Sequence, residues 1–380
     1  MAVRHHLAAD VKAADVTRVA CDLVGIHATD PASVYLGALA RTKSLTHEDV
    51  ADALYDKRSV LKVLGMRRTM FVVPRDLAAV INSAAAATIA ARERRRTIDL
   101  VSSANVVDGD VEAWLNQVEA ETVAALDELG EATASQLTKR VAGLRVQIPF
   151  GEGKKWAGTV GVSTRMLFLL AAEARIIRGR PQGGWTSSLY RWAPMTAWLG
   201  EPLRSIPTAE AQADLAQRWL KTYGPGRAQD LQWWAGWTVA ETKRALAASQ
   251  AVEVELDEGT GWAAADDVAP APEVGPWIAL LPALDATTMG WNERAWYMGK
   301  HTPRLFDRNG NAGPTVWLDG GVVGGWAQRR DGEVVFRLLE DVGAEQRHKV
   351  EAQAQSVADW LGSTRVVPRF RTPLEQELTA

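Results

Sequence analysis

Apolar positions along the chain recur with helical spacing in some stretches and alternate as in strands in others, and the order of the two is informative. Asp30-Pro31 begins a helix over residues 31–42, with Asp30 able to cap it and Pro31 suited to its first turn. Thr46-His47-Glu48-Asp49 starts a second helix over 46–55, with acids at its positive end. Two β-rich runs follow, 60–64 and 69–74, around the turn Gly65-Met66-Arg67-Arg68, and then a long Ala-rich helix over 76–96. Helix, helix and a two-stranded hairpin is the order of a winged-helix module, with the hairpin as its wing. The order returns over 110–195. There, a helix at 111–129 stops at Gly130, Thr133 and Gln136 form a capping box, and a helix at 163–174 precedes strands at 176–178 and 188–192. It returns once more over 207–265. Helices at 209–223 and 227–235 flank Gly224-Pro225-Gly226, Thr238 and Glu241 form a second capping box, and a hairpin turns at Asp257-Glu258-Gly259. Residues 266–276 are rich in proline and acid and read as a linker. The remainder carries strands at 315–318, 322–328 and 334–339 and one closing helix at 344–361.

The expected fold class is therefore α+β. Three tandem winged-helix modules occupy residues 1–108, 109–206 and 207–268, and a β-rich C-terminal domain occupies 269–380. With 380 residues, 47% of them hydrophobic, the chain can bury several cores. Its single cysteine, Cys21, excludes an internal disulfide and cysteine-based zinc motifs and fits a reducing compartment. The histidines lack His-x-x-x-His spacing, so neither a metal nor another cofactor is expected. There is no Gly-rich phosphate loop, and Gly320-Gly321 and Gly324-Gly325 read as hairpin glycines. No apolar run is long enough to span a bilayer, and the first residues do not read as a secretory signal. The expectation is a cytoplasmic, nucleoid-associated protein with no membrane partner. A net charge of -3 excludes a uniformly basic protein but not a local basic face.

Several segments together suggest a family. Gly65 to Pro74, Tyr223-Gly224-Pro225 with Asp230-Leu231-Gln232-Trp233-Trp234, and Leu280-Leu281-Pro282-Ala283-Leu284-Asp285 with Met289-Gly290-Trp291 and Arg294 are the main ones. Gly313-Pro314-Thr315-Val316-Trp317 and Val322-Val323-Gly324-Gly325-Trp326 complete the set. In this order they make the chain resemble the AlkZ-like (YcaQ-like) DNA glycosylases. The resemblance implies a C-shaped scaffold of three winged-helix modules around double-stranded DNA. It also implies a metal-free monomer that hydrolyses the N-glycosidic bond of alkylated purines and, in some members, unhooks crosslinks.

The family's catalytic motif, Gln-x-Gln or Gln-x-Asp after a glycine and an apolar residue, aligns with Gly25-Ile26-His27-Ala28-Thr29 here. His27 and Thr29 replace the two motif residues, a change of chemistry at both places. The candidate catalytic residues are His27, to accept a proton from water or orient it, Thr29, to hold that water, and Asp30, to stabilise a cationic sugar. Each has a plainer reading: His27 as a core histidine, and Thr29 and Asp30 as helix caps. Arg67, Arg68, Thr69, Lys154, Lys155 and Arg294 are the candidate DNA contacts. For Arg67, Arg68 and Thr69 the alternative is a solvated turn. Trp233, Trp234 and Trp237, at helical spacing, fit a core better than base stacking. Two further functions compete: a non-catalytic DNA-binding regulator or lesion sensor, and a protein-interaction scaffold.

Overall fold

In the computed structural model every residue is described except Glu152, Lys155, Trp156 and Glu258. The expected position of Lys155, and the tip of the 257–259 turn, thus lie outside the described residues. Helices and short antiparallel sheets alternate along the whole chain. The cap signals hold at atomic level. Thr133 and Gln136, and Thr238 and Glu241, form reciprocal capping boxes, and Asp30 and Thr46 accept from the first-turn N–H groups of their helices. Helix Val111–Leu129 ends at Gly130, whose φ of 70° suits a residue without a β-carbon. The Ala-rich helix runs further than expected. It extends from Leu77 through a π-helical stretch at Asn82–Ala86 to Ala104, and stops where Asn105 turns left-handed.

Contacts divide the chain into two units. The first contains Met1–Leu61, Thr69–Leu77 and Ala213–Ala380, and the second Lys62–Arg68 and Ala78–Gln212. In the first unit, helices α1 (Val16–Asp22) and α2 (Pro31–Leu39) bracket strand β1 (Ile26–His27). β1 lies in a sheet ordered β1-β3-β2, with β3 spanning Met70–Pro74 and β2 Val60–Leu64, a strand whose residues 62–64 belong to the second unit. Further along, helices Ala228–Ala235 and Val239–Ala248 precede the hairpin Ala251–Leu256/Gly259–Ala264. A four-stranded antiparallel meander, Ile278–Leu281, Thr315–Leu318, Gly321–Gln328 and Val334–Leu338, is covered by helix Gly343–Leu361. A last helix, Pro373–Leu378, packs on strand Gly321–Gln328 and was not expected from the sequence.

The second unit is built on helices Ala87–Ala104, Val111–Leu129 and Val162–Ala172, with Leu115, Leu126, Leu137, Met166 and Leu170 in its core. Its sheets are the strands Ala132–Thr133, Tyr190–Pro194 and Ile176–Pro181, and a hairpin Gln147–Phe150/Gly158–Gly161 that the sequence pattern did not reveal. Arg94 reaches Glu119 and, at 2.8 Å, Glu173, so charges from three helices meet in one cluster.

Candidate active site

The stretch Gly25 to Asp30, which holds the candidate catalytic residues, begins at a reversal. The chain leaves α1 through two left-handed residues, Val24 (φ 54°) and Gly25 (φ 108°), and enters β1. Glycine is required at the second position. A β-carbon there would sit 3.0 Å from Val73 Cγ1 and 3.3 Å from the Phe71 ring, in a backbone conformation that side chains disfavour. This close approach lets β1 pair with β3, Ile26 opposite Val72 and His27 opposite Phe71.

His27 is 4% exposed. Its ring meets Phe71 edge-on at 5.1 Å, and its Nδ1 accepts the Thr29 N–H at 3.5 Å. Ala28 N–H donates to the Met70 carbonyl (2.7 Å), and Met70 N–H donates to Thr29 Oγ1 (3.3 Å). Both polar groups of the Met70 backbone are thus spent on holding residues 28–29, which fixes the Thr29 hydroxyl. Thr29 is half-buried and is the more open of the pair. Asp30 is 5% exposed and committed on both oxygens. Oδ1 accepts from Ala32 N–H (3.1 Å) as the cap of α2, and Oδ2 accepts from Arg369 N–H (2.9 Å). A carboxylate held by two backbone N–H groups is satisfied without a ligand.

α2 is anchored to the C-terminal signature. Ser33 Oγ donates to the Ala283 carbonyl (2.6 Å). Arg41, wholly buried, forms two parallel bonds with Asp285 (2.9 and 2.7 Å) and also donates to Thr287 Oγ1 and the Gly37 carbonyl. Thr287 meets His5 Nδ1 at 2.8 Å, and His5 Nε2 meets the Thr222 carbonyl at 3.1 Å. A carbonyl only accepts, so Nε2 carries the proton and Nδ1 takes that of Thr287. Burial, aided by the N-terminal amine and Arg41, pushes the His5 pKa well below its ordinary value, and the imidazole is neutral. Nearby, two segments far apart in sequence meet. Trp291 Nε1 donates to the Tyr223 carbonyl (3.0 Å), and Asp230 accepts from the N–H groups of Asn292 and Glu293 (2.9 Å each).

The other candidates are dispersed. Thr69 belongs to the first unit, while Arg67, Arg68 and Lys154 belong to the second. Arg67 and Arg68 both have positive φ (53° and 62°), and Arg68 pairs with Glu93 at 3.0 Å over the Phe168 ring. Lys154 is exposed in a turn. Arg294 in the first unit is held between the Trp233 and Phe306 rings, 5.0 and 4.5 Å from their centres, and its burial lowers its pKa. Trp234 and Trp237 are buried, as a core role requires. Among the described residues no group of three His, Cys, Asp or Glu could hold a metal ion, and no helix is long and apolar enough to cross a membrane.

A family model for DNA glycosylase AlkZ-like proteins matches residues 21–360, a span that takes in the His27 turn and the Asp285 signature. The chain belongs to the AlkZ-like DNA glycosylase family. Among solved structures it is similar to the Streptomyces sahachiroi DNA glycosylase AlkZ, with 18% identity over 96% of each chain and a TM-score of 0.72, a likeness of fold. Among curated proteins none matches the chain.

In this AlkZ-like chain, the structure joins motifs that are separate in sequence. Asp285 binds Arg41 at the end of α2, Ala283 binds Ser33 near its start, and Asp230 binds the backbone after Trp291. Several residues escaped the sequence reading: Ser33, Arg41, His5 and, above all, Arg369. The last reaches the motif from 340 positions away, its Nη1 donating to the Thr29 carbonyl at 3.4 Å. No local pattern could have signalled it.

Proposed function

We propose that this AlkZ-like protein is a monofunctional DNA glycosylase for alkylated purines, with His27 and Thr29 as its reacting pair. The reading extends to crosslinked duplex as a substrate, to action as a monomer, and to three winged-helix modules with the boundaries given above. The observation that supports the assignment of the pair is the fixed turn at residues 27–29, read together with the resemblance of Gly25 to Thr29 to the family's catalytic motif.

An N-alkylated purine already carries positive charge, so its glycosidic bond is weakened and the leaving base needs no strong acid. What remains for the protein is to hold the extruded nucleotide, stabilise a cationic sugar and place water. Thr29 Oγ1 accepts from Met70, so its own proton is left to donate, and the hydroxyl can orient a water from the half-buried side. His27, while Nδ1 accepts from Thr29, keeps its proton on Nε2. At 3.5 Å that bond is at the edge of hydrogen-bond range. To accept a proton from water at Nε2, His27 first shifts its own proton to Nδ1 and gives up the bond from Thr29. Asp30 enters the proposal as the carboxylate that fixes the turn.

The test is incubation with duplex DNA carrying N7-alkylguanine and detection of the free base. His27→Ala and Thr29→Ala are expected to lower release by about 10²-fold or more while duplex binding persists. No release from a panel of alkylated and crosslinked duplexes would refute the enzymatic reading. One observation favours the alternative of a DNA-binding lesion sensor: the His27 ring is covered in the free chain. That reading expects salt-sensitive duplex binding with the base left in place.

A further inference from the structure

The segment 366–371 crosses the start of α2 as a strap pinned by its backbone at two points. Val366 N–H donates to Gln328 Oε1 (2.8 Å), and Arg369 N–H donates to Asp30 Oδ2 (2.9 Å). It lies beyond residue 360, where the match to the family model stops. The second pin uses the backbone of Arg369, so its side chain is not needed to hold the strap. That side chain is exposed, makes one long hydrogen bond, 3.4 Å, to the carbonyl of Thr29, and lies 5.9 Å from the centre of the Phe370 ring. Neither contact spends the forked donors of the guanidinium, which stands at the lip of the 27–29 turn. The neighbouring Arg371 is different, since it is occupied by Glu375 and Thr379.

We propose that Arg369 binds a phosphate of the DNA backbone beside the nucleotide presented to Thr29. The proposal rests on the reading of the 27–29 turn as the reacting site. A guanidinium offers forked donors that match phosphate oxygens, and it keeps its charge at any working pH. Its position next to Thr29 would set the register of the strand: gripping a flanking phosphate fixes how far the extruded sugar reaches toward the hydroxyl. Such a contact carries no base information, so it serves lesions of different structure equally.

Binding of the full chain to a labelled duplex containing one abasic-site analogue, followed across a salt series, tests this. Arg369→Ala is expected to weaken binding about ten-fold and to make the slope of log affinity against log salt shallower by about 0.9, the share of one phosphate. Arg369→Lys keeps a cation and is expected to restore the slope. The melting temperature should be unchanged in both, because the backbone pin remains. An unchanged slope in Arg369→Ala would overturn the proposal. So would equal loss of affinity in the alanine and lysine variants together with a lowered melting temperature, the mark of a purely structural strap. Base release has no part in this readout. A failed alkylpurine assay with the slope change present would count against the glycosylase substrate alone. Intact base release with an unchanged slope would count against Arg369 alone.

Discussion

At the scale of single residues, burial separates groups that the sequence could not. Asp30 and Thr29 stand side by side, yet one is saturated by two backbone donors and the other has a proton left to give. Asp30→Asn removes the charge and keeps one acceptor oxygen, enough for the Ala32 or the Arg369 N–H but not for both. It is expected to release alkylated base within about ten-fold of the wild type, because the carboxylate acts by holding the turn. A loss near that of Thr29→Ala, with stability intact, would instead put the charge to work on the sugar. His5 offers a second measurement. Its folded-state pKa lies well below 6.5, so the unfolded chain takes up a proton that the native chain refuses. Stability from this group is complete above about pH 6.5 and falls as pH drops beneath it, by about 1.4 kcal/mol per unit. His47, its ring tilted against that of Trp360 with centres 3.8 Å apart, is lowered by burial too and acts in the same direction. Urea midpoints at about pH 7.5 and 5.5 should therefore diverge more in the wild type than in His5→Gln. Equal divergence would show that His5 is not the source.

At the scale of elements, α2 owes its placement to partners distant in sequence. The Arg41–Asp285 pair has no solvent to fall back on, so removing one member leaves a buried charge. Arg41→Met is expected to destabilise the protein by about 3–5 kcal/mol, and Arg41→Met with Asp285→Leu to recover part of that, measured by denaturant unfolding. A single variant as stable as the wild type would show that this contact does not anchor the helix. Local signals did foretell several elements closely: helix Val111–Leu129, both capping boxes and the strands around Ile176–Pro181 and Tyr190–Pro194. They missed β1, because two residues carry no periodicity and its existence depends on the approach of β3. The helix Pro373–Leu378 was missed for a similar reason, since one short turn with Leu374 and Leu378 inward takes its stability from the sheet it covers.

At the scale of the whole molecule, a net charge of -3 leaves no general attraction for DNA, and binding must come from the placement of a few arginines. If six or more phosphates are neutralised, duplex affinity should fall by about 10³-fold or more between about 50 and 200 mM salt, read by anisotropy. A flat salt response would argue for a partner other than nucleic acid. The sequence by itself determined the alternation of helices and hairpins, since apolar period, caps and glycine stops act over a few residues. It also carried the family signature in Tyr223-Gly224-Pro225, Leu280 to Asp285 and Met289-Gly290-Trp291. At Gly290 the fold requires glycine: a β-carbon there would lie 2.5 Å from the Tyr223 ring. Only the tertiary structure decided that His27 is covered while Thr29 stays partly open, that Asp30 is saturated, and that Arg369 stands at their side. Those facts depend on which groups share a volume after folding, and contacts made across more than three hundred residues leave no trace in local order.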